Sequence, residues 1–232
     1  MSSPKPFEVL FEDNHLLIVN KSAGVLVQED ATGDKPLVDL CKEYIGQKYK
    51  KPGAVFLGVV HRIDRPVSGV VVLARTSKAL ERMNALFREK ETKKTYWALV
   101  KKKPQKERDT LVHWLLKDEK KNRTTTFSRE TPNALRAELS YRVVGQSSGL
   151  WLLEVNPLTG RPHQIRVQLA SIHAPIKGDV KYGDDEANED GSICLHARQL
   201  EFVHPVKKEM LRIEAPLPNT PLWKYFSTFS TS

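Results

Sequence analysis

Apolar residues in this chain come mostly in short runs broken by polar turns, with a few stretches at helical spacing. Residues 7–11 (Phe-Glu-Val-Leu-Phe) and 15–20 (His-Leu-Leu-Ile-Val-Asn) predict two strands around a turn at Asp13-Asn14. Residues 37–50 predict a helix with Leu37, Leu40, Cys41, Tyr44 and Ile45 on one stripe. The apolar, β-branched runs 55–60 and 70–73 predict central strands, with the polar segment 61–69 looping between them. Ser77 is the expected cap of a helix to Glu89, whose Leu80, Met83 and Phe87 form the buried stripe. Residues 94–100 alternate: Tyr96, Ala98 and Val100 face one way, Thr95, Trp97 and Leu99 the other. Strands at 110–116, 135–144 and 150–155 follow, and Pro162 opens a helix to about His173 with Ile165, Leu169 and Ile172 inward. The segment 183–190 carries five acids and no base, and reads as an exposed loop. Strands near 193–203 and 210–214 precede a Pro-rich tail. Many strands, few helices and no regular βαβ beat predict an α+β fold with a mixed, largely antiparallel sheet and flanking helices and loops.

Size and charge narrow the partners. The 232 residues are read as one domain, 1–232, with its core at about 7–215. At this size roughly 70% of the unfolded surface is buried, so no staples are needed. The two cysteines, Cys41 and Cys194, make no disulfide framework and lack the spacing of a zinc knuckle. No apolar run reaches the ~18 residues of a membrane span. Nor does the start, Met-Ser-Ser-Pro-Lys-Pro-Phe, hold an apolar signal region. A reducing, cytoplasmic location is expected. The 37 Lys and Arg against 28 acids give +9, which suggests a polyanionic partner, with nucleic acid ahead of membrane. Residues 88–123 hold 13 Lys or Arg and 6 acids, so most of the excess sits there. A solvated basic face would read the same way.

Three polar segments interrupt the apolar patterning. In His61-Arg62-Ile63-Asp64-Arg65-Pro66-Val67-Ser68-Gly69, Pro66 holds Arg65 extended and Gly69 permits a sharp return. Asp64 then sits in a rigid loop at a strand end, flanked by two arginines. It is suited to act as an ionised nucleophile or stabiliser, but by itself it reads more readily as a structural partner of Arg62 or Arg65. In Thr159-Gly160-Arg161-Pro162-His163-Gln164-Ile165-Arg166, a Gly turn runs into a helix N-terminus, where unpaired N–H groups suit an anion. Arg166 lies beside the inward stripe, where a buried carboxylate partner is needed. A capping cluster with an Arg paired to a surface acid fits too. In Lys93 to Val100, Tyr96 could stack on a base or simply belong to the core. The sequence holds no P-loop, Gly-x-Gly-x-x-Gly, paired-histidine zinc motif or Gly-x-Ser-x-Gly elbow, and its histidines are scattered.

In this order, the segments resemble the RluA family of RNA pseudouridine synthases. The matching stretches are Val19-Asn20-Lys21-Ser22-Ala23-Gly24, His61 to Gly69, Lys94-Thr95-Tyr96-Trp97-Ala98, Leu158 to Arg166 and Leu195-His196-Ala197. Val67 stands where the family usually has Thr, and Ser22 where it has Pro. The order and separation look like the family's catalytic domain with no separate N-terminal RNA-binding module.

The resemblance implies isomerisation of chosen uridines to pseudouridine in structured ribosomal or transfer RNA, with no metal and no cofactor. It implies Asp64 as nucleophile on a flipped nucleotide, Arg166 as its paired cation and Tyr96 packed against the uracil. It also implies RNA contacts from Arg62, Arg161, His163 and Leu195, with Lys101, Lys102 and Lys103 in the basic segment meeting phosphates. The flipped nucleotide and a stacking pocket are what chemistry on a base in folded RNA requires, and phosphate contacts supply affinity with little sequence choice. RNA is thus the expected partner, with no membrane, no small-molecule cofactor and a monomer favoured. Two rivals are weighed: a non-catalytic RNA-binding protein on the same scaffold, and a glycoside hydrolase or nucleosidase. The first predicts loss of Asp64 or Arg166. The second wants a second carboxylate near Asp64, which the three motifs do not hold.

Overall fold

A hairpin opens the chain. Strands β1 (Phe7–Glu12) and β2 (Leu16–Lys21) pair antiparallel, with Val9 opposite Val19. Asp13 closes the turn: its Oδ1 accepts from the backbone N–H of His15 and of Leu16, each at 2.8 Å. A carboxylate so placed stands in for a turn carbonyl. The computed structural model describes residues 5–30, 32–50 and 52–229. These form two compact units, one running to Lys93 and including Ala197–Pro216, the other made of Lys94–His196 and the chain from Leu217.

In the first unit, β2 pairs with β4 (Ser68–Ala74), Ile18 opposite Val72. All seven residues of β4 are buried. Burial on both faces explains its unbroken apolar reading in the sequence. On the other edge of β4 runs β10 (Leu195–Val203), which carries β11 (Met210–Glu214) antiparallel. Helix α1 (Leu37–Lys48) buries Leu37, Cys41 and Ile45, the predicted stripe. Helix α2 (Ser77–Arg88) seats Ala79 and Met83 on a core of Leu16, Ile18, Val70, Val72, Leu200 and Phe202. Its cap is Thr76 rather than Ser77. Thr76 is extended, and its Oγ1 accepts from Ala79 N–H at 3.1 Å, whereas Ser77 is already helical. The strand expected over 55–60 shrinks to β3 (Gly58–Val59), paired with Ala74 and Leu73. One edge of β4 is taken by β2 and the other is shared with β10, so two residues are all that fit.

The second unit is a sheet ordered β5 (Lys93–Val100), β9 (Leu150–Pro157), β8 (Leu135–Ser147), β6 (Arg108–Asp118), β7 (Arg123–Phe127). Its ladders β5–β9, β9–β8, β8–β6 and β6–β7 are all antiparallel. Strand β7, Arg-Thr-Thr-Thr-Phe, escaped the pattern reading because it has no apolar run; its β-branched threonines suit an edge strand all the same. Helix α3 (Gln164–Ser171) packs Val167 against Leu115, Ala137 and Tyr182. It starts at Gln164 and not at Pro162, because His163 sits in the left-handed region at φ 55° and breaks the helical path. Helix α4 (Pro221–Lys224) buries Trp223. The largely antiparallel α+β architecture is as predicted. No helix among the described residues is long and apolar enough to cross a membrane.

Candidate active site

Asp64 lies in the first unit on the loop feeding β4. Ile63 and Val67 are buried and anchor the loop, while Asp64 is half-buried and Arg62 and Arg65 are exposed. A turn closes beneath the carboxylate, Val67 N–H donating to the Asp64 carbonyl at 3.0 Å. Gly69 ends the loop at φ 117°, and a Cβ there would run into the Ala197 backbone, so only glycine fits. Arg65 is committed elsewhere: Nη2 donates to Asp34 Oδ2 at 2.6 Å and Nε to the Gly24 carbonyl at 2.9 Å. Gly24 N–H donates back to the Arg65 carbonyl at 2.8 Å, tying the loop to the turn after β2.

Beneath this tie is Lys21, wholly buried at the end of β2. Its Nζ donates to the carbonyls of Ser22 (2.9 Å), Val25 (2.7 Å) and Arg65 (3.2 Å). Burial pulls its pKa down to about 7, while the Asp64 carboxylate opposes the shift and Arg65 adds to it. Lys21 falls in one of the stretches that resemble the family, with no role implied for it there. Its signal was a lysine closing a run of four apolar residues and Asn20. His61, at the loop's start, accepts at Nε2 from Val72 N–H (3.2 Å) and stacks on Phe87 with ring centroids 4.8 Å apart.

In the second unit, Arg166 is 6% exposed and its partner is Asp179, 1% exposed. Nε donates to Oδ2 at 2.7 Å and Nη2 to Oδ1 at 2.9 Å, a two-point grip on a carboxylate. The guanidinium lies over the Tyr182 ring, 5.0 Å from its centroid. Tyr96 is half-buried on β5. Cross-strand register carries its side of the sheet through Val155 and Tyr141. Residues two apart on a strand share a face, so Ala137 lies on this side too, and Ala137 packs against Val167 of α3. Tyr96 and the helix bearing Arg166 therefore share one face of this sheet.

The other predicted contact residues are spread over the second unit. Arg161 donates from Nε to the Arg136 carbonyl at 3.1 Å. Its N–H, expected to be open to an anion, is taken by Gln164 Oε1 at 2.9 Å. His163 Nδ1 is 2.7 Å from the Tyr182 hydroxyl. Leu195 is buried. The acidic loop is not merely solvated: Asp184 is buried, and Lys101 pairs with it at 3.2 Å and with Asp185. Lys103 pairs with Glu107 and lies over Trp151, whereas Lys102 is exposed. Both cysteines are free, and burial pushes the Cys41 thiol up to about 12 and the Cys194 thiol to about 11. Among the described residues, no three His, Cys, Asp or Glu gather as metal ligands would.

The family described as RNA pseudouridylate synthase matches residues 15–171, and the chain belongs to that family. Among curated relatives, the ribosomal large subunit pseudouridine synthase C of Vibrio cholerae is 34% identical over 215 residues, covering 90% of this chain and 65% of its own. The protein of the same name from Escherichia coli K12 is 34% identical over 219 residues, covering 90% and 66%. This chain thus spans just under two thirds of the length of these relatives. In solved structures, human RNA Pseudouridylate Synthase Domain Containing 4 superposes with a TM-score of 0.78 at 24% identity, over 96% of this chain and 94% of that one, and shares the fold. Human RNA Pseudouridylate Synthase Domain Containing 1 gives 0.72 at 25%, over 96% and 89%.

Proposed function

We propose that this protein converts uridine to pseudouridine in structured RNA, with Asp64 as nucleophile. The target nucleotide flips out of its helix, and the Asp64 carboxylate attacks it so that the N-glycosidic bond breaks. The freed uracil turns and rejoins the ribose through carbon, and the bond to Asp64 breaks as the new one forms, so the carboxylate leaves free. That carbon's proton then leaves, with the Tyr96 hydroxyl assisting, and the former glycosidic nitrogen ends protonated, so the product is an isomer of the substrate. Arg166 supplies a fixed cation for this chemistry; an arginine serves because it does not deprotonate. Arg62 fills the space the flipped base vacates.

The observation that carries this reading is the Asp64 loop. It is held at its base by Lys21, its return is fixed by a glycine, and Arg65 braces it by pairing with Asp34. Family membership supports the chemistry, and the relatives' names make large-subunit ribosomal RNA the first substrate to try, with transfer RNA second. The setting proposed is cytoplasmic, with no metal or nucleotide required. The test is purified protein with unmodified ribosomal and transfer RNA, folded in monovalent salt with a chelator present. Pseudouridine should form. Its absence from both RNAs, or activity that returns only on adding a divalent ion, overturns the proposal.

A further inference from the structure

We infer that Asp179 is a positioning residue for this chemistry, orienting the Arg166 guanidinium through its two-point grip. The inference rests on the proposed role of Arg166 as a fixed cation for this chemistry. An arginine side chain is long and flexible, and a cation that must meet a carboxylate in one geometry gains from having its rotation stopped in advance. Asp179 stops it. Nε and Nη2 are bound in one plane at 2.7 and 2.9 Å, and both partners are buried.

Asp179 is itself held. Its N–H donates to the Ile176 carbonyl at 2.9 Å, and its carbonyl accepts from Tyr182 and Asp184 N–H, each at 3.1 Å. The segment turns back at Gly183, in the left-handed region, and Asp184 Oδ2 accepts from Gly178 N–H at 2.6 Å. Tyr182, whose ring lies beside the guanidinium, is fixed from the far side. Thr124 N–H donates to its hydroxyl at 2.8 Å, which leaves that hydroxyl's own proton for His163 Nδ1 at 2.7 Å. Segment 176–184 therefore works as a jig, built from backbone turns, with Asp179 as its contact point.

A merely structural carboxylate and a positioning one differ in kinetics. Asp179→Asn keeps the shape and loses the charge and one acceptor, so Arg166 gains freedom to turn. Turnover should fall by about 100-fold, as for a reacting group misplaced by about 1 Å, with the KM for RNA within about twofold of wild type. In an Arg166→Lys background the same change should cost little further, because lysine has no fork to orient. Asp179→Glu retains the buried charge and is the variant to use if Asp179→Asn melts below the assay temperature; its kcat should also drop at near-constant KM. An unchanged kcat in a folded variant, or full additivity with Arg166→Lys, overturns the inference. Asp64→Asn runs in parallel: if it is inactive while Asp179 variants are unaffected, only the role of Asp179 fails. If Asp64→Asn remains active, the reading beneath it fails instead.

Discussion

Replacing Lys21 by Met tests how the loop beneath Asp64 is held. In the folded chain, burial brings the Lys21 pKa down from 10.5 to about 7. The unfolded chain leaves it at its ordinary value, so between pH 7 and about 10 the unfolded state binds a proton that the native state lacks. Stability owed to Lys21 is therefore lowest below pH 7 and rises with pH through that window, by about 1.4 kcal/mol per unit and about 4 kcal/mol in all. Met cannot titrate, and the three carbonyls it leaves without Nζ lower its stability by an amount independent of pH. The assay is denaturant unfolding of wild type and Lys21→Met from pH 6 to 10, comparing the difference between them so that other titrations cancel. Wild type should gain steadily on the variant above pH 7. A flat difference would show that Lys21 does not titrate in this window. It would mean that the three carbonyls, which match the three protons of an ammonium, together with Asp64 keep Lys21 charged in the fold.

Arg166→Met should cost about 3–5 kcal/mol of stability, because Asp179 would be left as a buried, unpaired carboxylate; thermal or denaturant melting reads this, and a loss under about 1 kcal/mol would mean that the pair is wet. Arg166→Lys should recover part of that stability and little of the turnover, since an ammonium cannot make the two-point grip. Of the basic run, Lys102→Glu should flatten the salt dependence of RNA binding more than Lys101→Glu, because Lys101 is already neutralised by Asp184 and Asp185. The slope falls by ~0.7–0.9 for every phosphate that is no longer neutralised. Identical slopes for wild type and both variants would make the run a solvated face.

The elements with a clean period were legible from sequence: β1, β2, β4, α1 and α2 stand within a few residues of expectation because one face or both must be apolar. The start of α3 was misplaced because the left-handed conformation of His163 leaves no mark in an apolar pattern. Strand β7 was missed because threonine carries β-preference without hydrophobicity. Asp64, Tyr96 and Arg166 were legible as a motif set, and that set led to the family. Their supports were not. Asp179 lies 13 residues beyond Arg166, in a turn-rich segment whose composition suggests only a loop, and a search confined to the motifs passes it by. Lys21 was hidden for a different reason: a lysine after an apolar strand reads as the strand's exposed end, whereas here three carbonyls draw it inward. The acidic loop is exposed as expected at most of its positions, but the pairing of buried Asp184 with Lys101, 83 positions apart, is a property of the fold alone.

Whether Asp64 does the chemistry is decided by comparing wild type with a variant that keeps the shape of this side chain and loses its charge. Wild type and Asp64→Asn are each mixed in excess with unmodified large-subunit ribosomal RNA, and pseudouridine formation and RNA affinity are measured on the same preparations. The amide keeps the size and shape of the carboxylate but is no nucleophile. Wild type should form pseudouridine, while the variant should form none and bind the RNA with affinity within a few-fold of wild type. Pseudouridine formed by the variant above trace level, at any appreciable fraction of the wild-type rate, would remove Asp64 from this role.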